Sequence, residues 1–213
     1  MNIDGLNESG KGRKYDSPTR RAQAQETRHQ IADAAWTLFV ERGWSGTRVR
    51  DVAQTAGVSE PTVYAVYGNK AGLASALLDS LEGAADPRRL GEELRAAAGD
   101  PRGQLAAVAG FERRLFEHGA EAITVIREAG RSVPELAKVV AEGRARGEGQ
   151  RRRLFAAWPA DAWREGIDVD AALDRSAALY NADVFLVLTR ERGWTPEQVE
   201  RWWAQTLAQL LLC

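Results

Sequence analysis

Cysteine is nearly missing from this chain: the single one among 213 residues is Cys213. No disulfide within the chain is possible, and a reducing compartment is the expected setting. Histidine is almost as scarce. His29 and His118 stand far apart, with no cluster of Cys, Asp or Glu at metal-ligand spacing beside either, so no metal site is expected. Long hydrophobic runs are missing too. The longest aliphatic-aromatic stretch, residues 184–188, is far too short to span a bilayer, and the first thirty residues hold no apolar signal core. The expectation is a cytoplasmic protein with no membrane partner. Neither GxGxxG, the phosphate-binding G-x-x-x-x-G-K-[ST] nor the nucleophile elbow G-x-S-x-G occurs. Adjacent acids such as Glu92 and Glu93 would point to different sides of a helix, which suits a solvated surface better than paired acid-base chemistry. An enzyme is not expected, and no cofactor is called for.

An excess of one charge is also lacking, with 29 Lys/Arg against 30 Asp/Glu. The balance hides a small split: through residue 70 there are ten basic and eight acidic residues, and the remainder is slightly acidic. Basic residues concentrate in Lys11, Arg13, Lys14, Arg20 and Arg21, with only Asp16 among them. That run is either a solvated tail or an arm that reaches phosphates or a minor groove. Finally, no segment alternates β-branched and polar residues, so no sheet is expected and the fold class is all-α. With 44% apolar residues, the chain has enough apolar material for one large or two modest domains.

What is present is helix punctuation. Residues 1–18 carry no apolar period and are read as a disordered basic leader. From about Thr19 to Arg42, Ile31, Ala34, Ala35, Leu38 and Phe39 recur at helical spacing, and Gly43 ends the run. Thr47 is the expected N-cap of a short helix carrying Val49, Val52 and Ala53, with Gly57 at its stop, where positive φ suits glycine. Ser59 is placed to cap a second short helix. Pro61 fits its first turn, where no N–H is needed, and Val63 returns to the apolar side. Two short helices across a tight turn make a helix-turn-helix, with Glu60, Pro61, Thr62, Tyr64 and Ala65 left to face a groove. After Asn69, Leu73, Leu77, Leu78 and Leu81 mark a fourth helix. Further helices are expected over 87–98, 102–118, 120–130, 134–157, 168–191 and 196–211. The last opens on Thr195-Pro196-Glu197-Gln198, a cap, a proline and a capping-box glutamine.

Residues 22–70 resemble the N-terminal domain of the tetracycline-repressor (TetR) family. The resemblance rests on Gly43-Trp44, then Thr47-x-Val49-x-x-Val52-Ala53-x-x-Ala56-Gly57-Val58-Ser59, then Thr62-Val63-Tyr64-x-x-Tyr67-x-Asn69-Lys70-x-x-Leu73. It covers about a quarter of the chain; Glu60 and Val66 depart from it, standing where many members carry a polar or basic residue and histidine. The resemblance implies a transcriptional regulator, most often a repressor, that binds a palindromic operator in double-stranded DNA as a homodimer. It implies backbone contacts from Thr47, Tyr64, Tyr67 and Lys70, and a base contact from Arg50. For Tyr67 the alternative is a packing aromatic, and for Lys70 a solvated charge. The chemistry of the side chains adds Pro61, Thr62 and Glu60 to the residues facing bases. Arg48, about 200° from Arg50 on a helix, falls nearer phosphate, and Ser59 at the helix start is counted with the DNA-binding residues.

Division at 19–68 for the helix-turn-helix domain and 69–213 for a helical effector-binding and dimerisation domain follows. The last two helices carry apolar stripes: Leu173, Ala177, Tyr180, Val184 and Leu188 on one, and Val199, Trp202, Trp203, Leu207 and Leu210 on the other. These stripes either close the subunit's own core or meet a second copy; members of the resembled family dimerise there. The family also encloses a small-molecule pocket, for which Phe111, Leu115, Phe116, His118, Ile126, Trp158 and Tyr180 are the candidate walls, with plain core packing as the alternative for each. The competing function is a helical ligand-binding or scaffold protein whose helix-turn-helix no longer binds DNA, a reading motivated by the near-neutral charge, Glu60 and Val66.

Overall fold

Caps set the architecture. The computed structural model describes residues 18–213, with side chains from residue 22 onward, so residues 1–17 of the expected basic leader, with Lys11, Arg13 and Lys14, lie outside the described residues, as do the side chains of Arg20 and Arg21. The helices are α1 (Pro18–Gly46), α2 (Val49–Thr55), α3 (Glu60–Tyr67), α4 (Lys70–Ala84), α5 (Pro87–Ala96), α6 (Pro101–Ala129), α7 (Pro134–Ala156), α8 (Val169–Leu179), α9 (Ala182–Leu186) and α10 (Pro196–Leu211). Side chains of Ser59, Asn69, Asp86, Asp100, Asp168, Asn181 and Thr195 each accept a backbone N–H from the first turn that follows, satisfying donors a helix start leaves free. Among the described residues there is no strand, only one isolated antiparallel bridge between Trp163 and Leu212. The fold is all-α.

Three expectations are corrected. Gly119 does not break a helix: α6 runs through it. A Cβ at this position would lie 2.8 Å from Leu81 Cδ1, so the glycine admits α4 against α6 instead of turning the chain. The expected helix over 168–191 is interrupted at Tyr180, and Asn181 caps a new start whose end widens into a π turn over Val187–Glu191. Arg48, not Thr47, is the N-cap of α2; its backbone N–H donates to the Asp51 carboxylate at 3.2 Å. Gly43, by contrast, ends regular helix as expected, with φ +67.

Two apolar clusters result. One joins Ile31, Leu38 and Phe39 of α1 to Val52, Val63, Leu73 and Leu77, and is closed from the other side by Ala122 and Ile126 of α6 and Leu136 of α7. The other packs α6 through Leu105, Val108 and Phe116 against Leu173, Phe185, Val199, Trp203, Leu207 and Leu211. Helix α6 thus serves both. Polar ties reinforce the junction with α4: Arg146 of α7 reaches Asp79 at 3.1 Å and Glu82 at 2.9 Å, and the buried Arg114 donates from Nε to the Ala85 carbonyl at 2.7 Å. No helix among the described residues is long and apolar enough to cross a membrane.

Candidate nucleic-acid interface and effector cavity

The turn between α2 and α3 is built as the spacing requires. Gly57 takes φ +68, a conformation that costs other residues about 1 kcal/mol or more. The Ser59 hydroxyl accepts the Thr62 N–H at 3.2 Å and shares a 2.7 Å hydrogen bond with the Thr62 hydroxyl. Val63 is buried beneath α3 with Val52 and Ala53, an anchor worth about 1.5–3 kcal/mol for a fully buried valine. Anchoring that side fixes the opposite one. Glu60, Pro61, Tyr64 and Ala65 are exposed, and Thr62 sits half-buried at the edge. Tyr64 is 45% exposed, a large value for an aromatic ring. Arg48 and Arg50 are exposed beside them on and before α2; Arg50 Nε lies 3.6 Å from Asp51 Oδ1, a loose surface pair.

The other three expected backbone contacts each have a partner within the chain. Thr47 is buried, and its hydroxyl lies 2.9 Å from both the Leu38 and the Gly43 carbonyls, tying the end of α1 to α2. Its side chain is therefore corrected from a phosphate contact to a structural tie. Thr47→Val should cost about 1–2 kcal/mol by leaving buried carbonyls unpaired, while the folded fraction keeps its DNA affinity; thermal melts alongside titration with a duplex check both. The Tyr67 hydroxyl donates to the Arg28 carbonyl of α1 at 2.9 Å, so the proton a phosphate would need is already committed. Burial raises the Tyr67 pKa, with Arg28 opposing. The Lys70 ammonium donates to the Trp44 carbonyl and lies 4.0 Å from the centre of the Trp44 ring. Partial burial lowers its pKa. Packing, the alternative reading for Tyr67, fits its geometry, and Lys70 fastens the start of α4 to α1.

Deeper in the chain, α4, α6, α7 and the end of α8 enclose a cavity of about 390 Å³, within the range of sites that hold one small molecule. Phe111, Leu115, Phe116 and Tyr180 line it as expected. Three expected walls do not. His118 is exposed, with Nδ1 2.8 Å from the Arg114 carbonyl. Ile126 is fully buried in the N-terminal cluster. Trp158 stacks with Phe155 and Trp163 and donates from Nε1 to Gln104 Oε1 at 2.6 Å.

The wall also holds residues that the apolar pattern does not point to, among them Glu112, buried, and Arg151, whose Nη1 donates to Glu112 Oε1 at 2.7 Å. A trace of Glu112 exists in the sequence, since it falls four residues after Val108 and four before Phe116, on the apolar side of α6. Burial raises the Glu112 pKa, Arg151 opposes this and Glu82 adds to it. A carboxyl raised in the fold gives stability that is complete below the ordinary glutamate range and is lost as pH rises through the raised value. Wild type should therefore lose stability relative to Glu112→Gln on going from acid toward neutral pH. Melting curves of the two proteins across pH test this, and parallel curves would contradict it.

The apolar stripes of the last helices divide. Val199, Trp203, Leu207, Leu173 and Tyr180 are buried in the subunit's own core, which corrects their assignment to an interface. Ala177 borders the cavity. Val184, Leu188 and Trp202 are half-buried, and Leu210 and Val187 are exposed, so the apolar surface that remains lies on the π turn and one strip of α10.

Comparison with known proteins agrees with this geometry. Residues 31–77 match the model for bacterial regulatory proteins of the tetR family. The chain is 48% identical to the HTH-type transcriptional regulator TtgR of Pseudomonas putida over 61 residues, 29% of each chain. It is 29% identical to the HTH-type transcriptional regulator AlkX of Mycobacterium tuberculosis over 125 residues, 58% of this chain and 57% of that one. The match thus spans less than a third of TtgR and little over half of AlkX. In fold it is similar to NalD, the secondary repressor of the MexAB-OprM multidrug efflux pump in Pseudomonas aeruginosa, with a TM-score of 0.71 at 22% identity over 89% of this chain and 98% of that one. The helix-turn-helix thus lies inside a segment that matches the tetR-family model, and the fold around it is similar along most of its length to that of NalD.

Proposed function

We propose that this protein is a transcriptional repressor of the cytoplasm that occupies a palindromic operator as a homodimer and is released by a small molecule bound in the cavity. The observation that carries the reading is the outer side of α3, anchored from beneath by Val63 and started by the Ser59 cap, with no side-chain hydrogen-bond or ion-pair partner among the described residues at Glu60, Pro61 and Tyr64. In this reading Arg50, Pro61, Thr62 and Glu60 face bases, while Arg48, Ser59 and Tyr64 face phosphates. Residues 19–68 form the reading head and 69–213 the effector and dimerisation part. Val184, Leu188, Trp202 and Leu210 meet the second copy, so that two α3 helices enter grooves one helical turn apart. A ligand acts by preferring the arrangement whose heads are wrongly spaced, with α4 carrying the difference.

The test is a gel shift on DNA upstream of the protein's own coding region at two salt concentrations. A shift that weakens with salt and resists scrambled competitor supports the proposal. Failure to shift even at low salt favours the ligand-binding or scaffold reading. Purified protein should elute as a dimer, and Leu210→Glu, which places a charge on the outer strip of α10, should raise the monomer fraction.

A further inference from the structure

We infer that the cavity selects an apolar organic acid: a hydrophobic body about two fused rings in size bearing a carboxylate, which Tyr180 and Arg151 receive. This deepens the effector reading and rests on it. Phe111, Leu115, Phe116 and Leu173 give the cavity apolar walls, which calls for an apolar body.

The head group follows from accounting for every charge on the wall. Each carboxylate is already engaged: Glu82 by Arg146 at 2.9 Å, Glu112 by Arg151 at 2.7 Å, and Glu148 by Arg152 at 3.6 Å. A cationic ligand would have to displace a guanidinium from one of them. The arginines are not matched in the same way. Arg127 has Asp183 at 2.6 Å and Arg146 has both Asp79 and Glu82, but Arg144, exposed at the rim, has no carboxylate partner among the described residues.

Unused hydrogen-bonding capacity points the same way. The Tyr180 side chain is more than nine-tenths buried, and its hydroxyl has no hydrogen-bond partner among the described residues. Arg151 spends Nη1 on Glu112, whereas its buried Nε has no partner. The Arg151 guanidinium carbon lies 5.9 Å from the centre of the Tyr180 ring, so the two unused donors share one neighbourhood. Burial and the Glu112 charge push the Tyr180 pKa upward, which keeps the phenol protonated and able to donate. Two donors without acceptors beside an unmatched rim cation suit a carboxylate, which accepts at both oxygens.

The test uses isothermal calorimetry on the full chain with two probes that share one body: 2-naphthoate and 2-naphthylmethylammonium. The acid should bind and the amine should bind at least tenfold more weakly. Tyr180→Phe keeps the ring and removes only the hydroxyl. It should lower naphthoate affinity about tenfold, the worth of one hydrogen bond, while its melting temperature holds or rises because a buried unpaired group is gone. Arg144→Gln should weaken naphthoate by a smaller factor and leave the fold intact. Tighter binding of the amine, or naphthoate affinity unchanged in Tyr180→Phe, overturns the assignment of the head group but leaves the cavity as an effector site. Binding of neither probe at millimolar concentration overturns the inference altogether, and the gel shift on bare DNA then still decides the repressor reading independently.

Discussion

Trp203→Ala should lower stability by about 3–5 kcal/mol, the usual cost of deleting a buried large aromatic. At roughly 2–4 °C per kcal/mol for a chain of this size, the melting temperature should fall by roughly 6–20 °C. Trp203 is fully buried on α10, and its ring meets Tyr180 edge-on at 5.4 Å, Phe116 at 5.9 Å and Phe185 at 6.1 Å between centroids. One side chain therefore holds α6, the end of α8 and α9 to α10, and the space it leaves would lie against two cavity walls, Tyr180 and Phe116. Relaxation into that space would close or reshape the cavity, so ligand affinity should fall along with stability. Trp203→Phe supplies the control. The indole Nε1 has no hydrogen-bond partner among the described residues, so phenylalanine loses volume but also removes an unpaired buried donor, and the net cost should be well below that of alanine. A Trp203→Ala melt within 2 °C of wild type, or a Phe variant as damaged as the Ala variant, would show that this ring is not the keystone of the second cluster.

Val199, Trp203 and Leu207 repeat at helical spacing, and that period correctly announced an apolar neighbour. Periodicity does not say whose surface the neighbour belongs to, and here it is α6 of the same subunit. The helix-turn-helix was far more legible because its demands are local: Gly57 for positive φ, Ser59 for the cap and Val63 for the anchor each act within a few residues. Thr47 misled for the opposite reason. A hydroxyl ahead of a helix looks like a cap, but its partners, Leu38 and Gly43, come from the preceding helix, and the tertiary bond prevails. Gly119 looked like a stop because glycine often is one; the approach of Leu81, thirty-eight residues earlier, is what requires it. The cavity's polar core was the least visible part. Glu112 and Arg151 lie on different helices, each in a charged local sequence that reads as solvated surface, and only the packing of α7 on α6 pairs them.

Arg50→Ala should have the largest effect on DNA binding, and the effect should depend on sequence. Arg50 is exposed on α2, and its pairing with Asp51 is too loose and too solvated to matter for folding, so the melting temperature should not move. A guanidinium that bonds guanine O6 and N7 together contributes about 1–3 kcal/mol of discrimination. In a symmetric dimer each substitution is counted twice. The loss on a preferred operator would then be about 2–6 kcal/mol, which corresponds to roughly thirtyfold to twenty-thousandfold in affinity. A scrambled duplex offers no aligned guanine and should lose far less. Tyr64→Ala is the natural comparison: in the proposed reading Tyr64 faces phosphate, so its loss should weaken preferred and scrambled duplexes alike. Titrations of both variants against both duplexes, each at two salt concentrations, separate the roles. If Arg50→Ala weakens both duplexes equally and makes binding less salt-dependent, its guanidinium neutralises a phosphate. Sequence reading would then fall to α3 alone, on exposed Glu60 and Pro61 and half-buried Thr62.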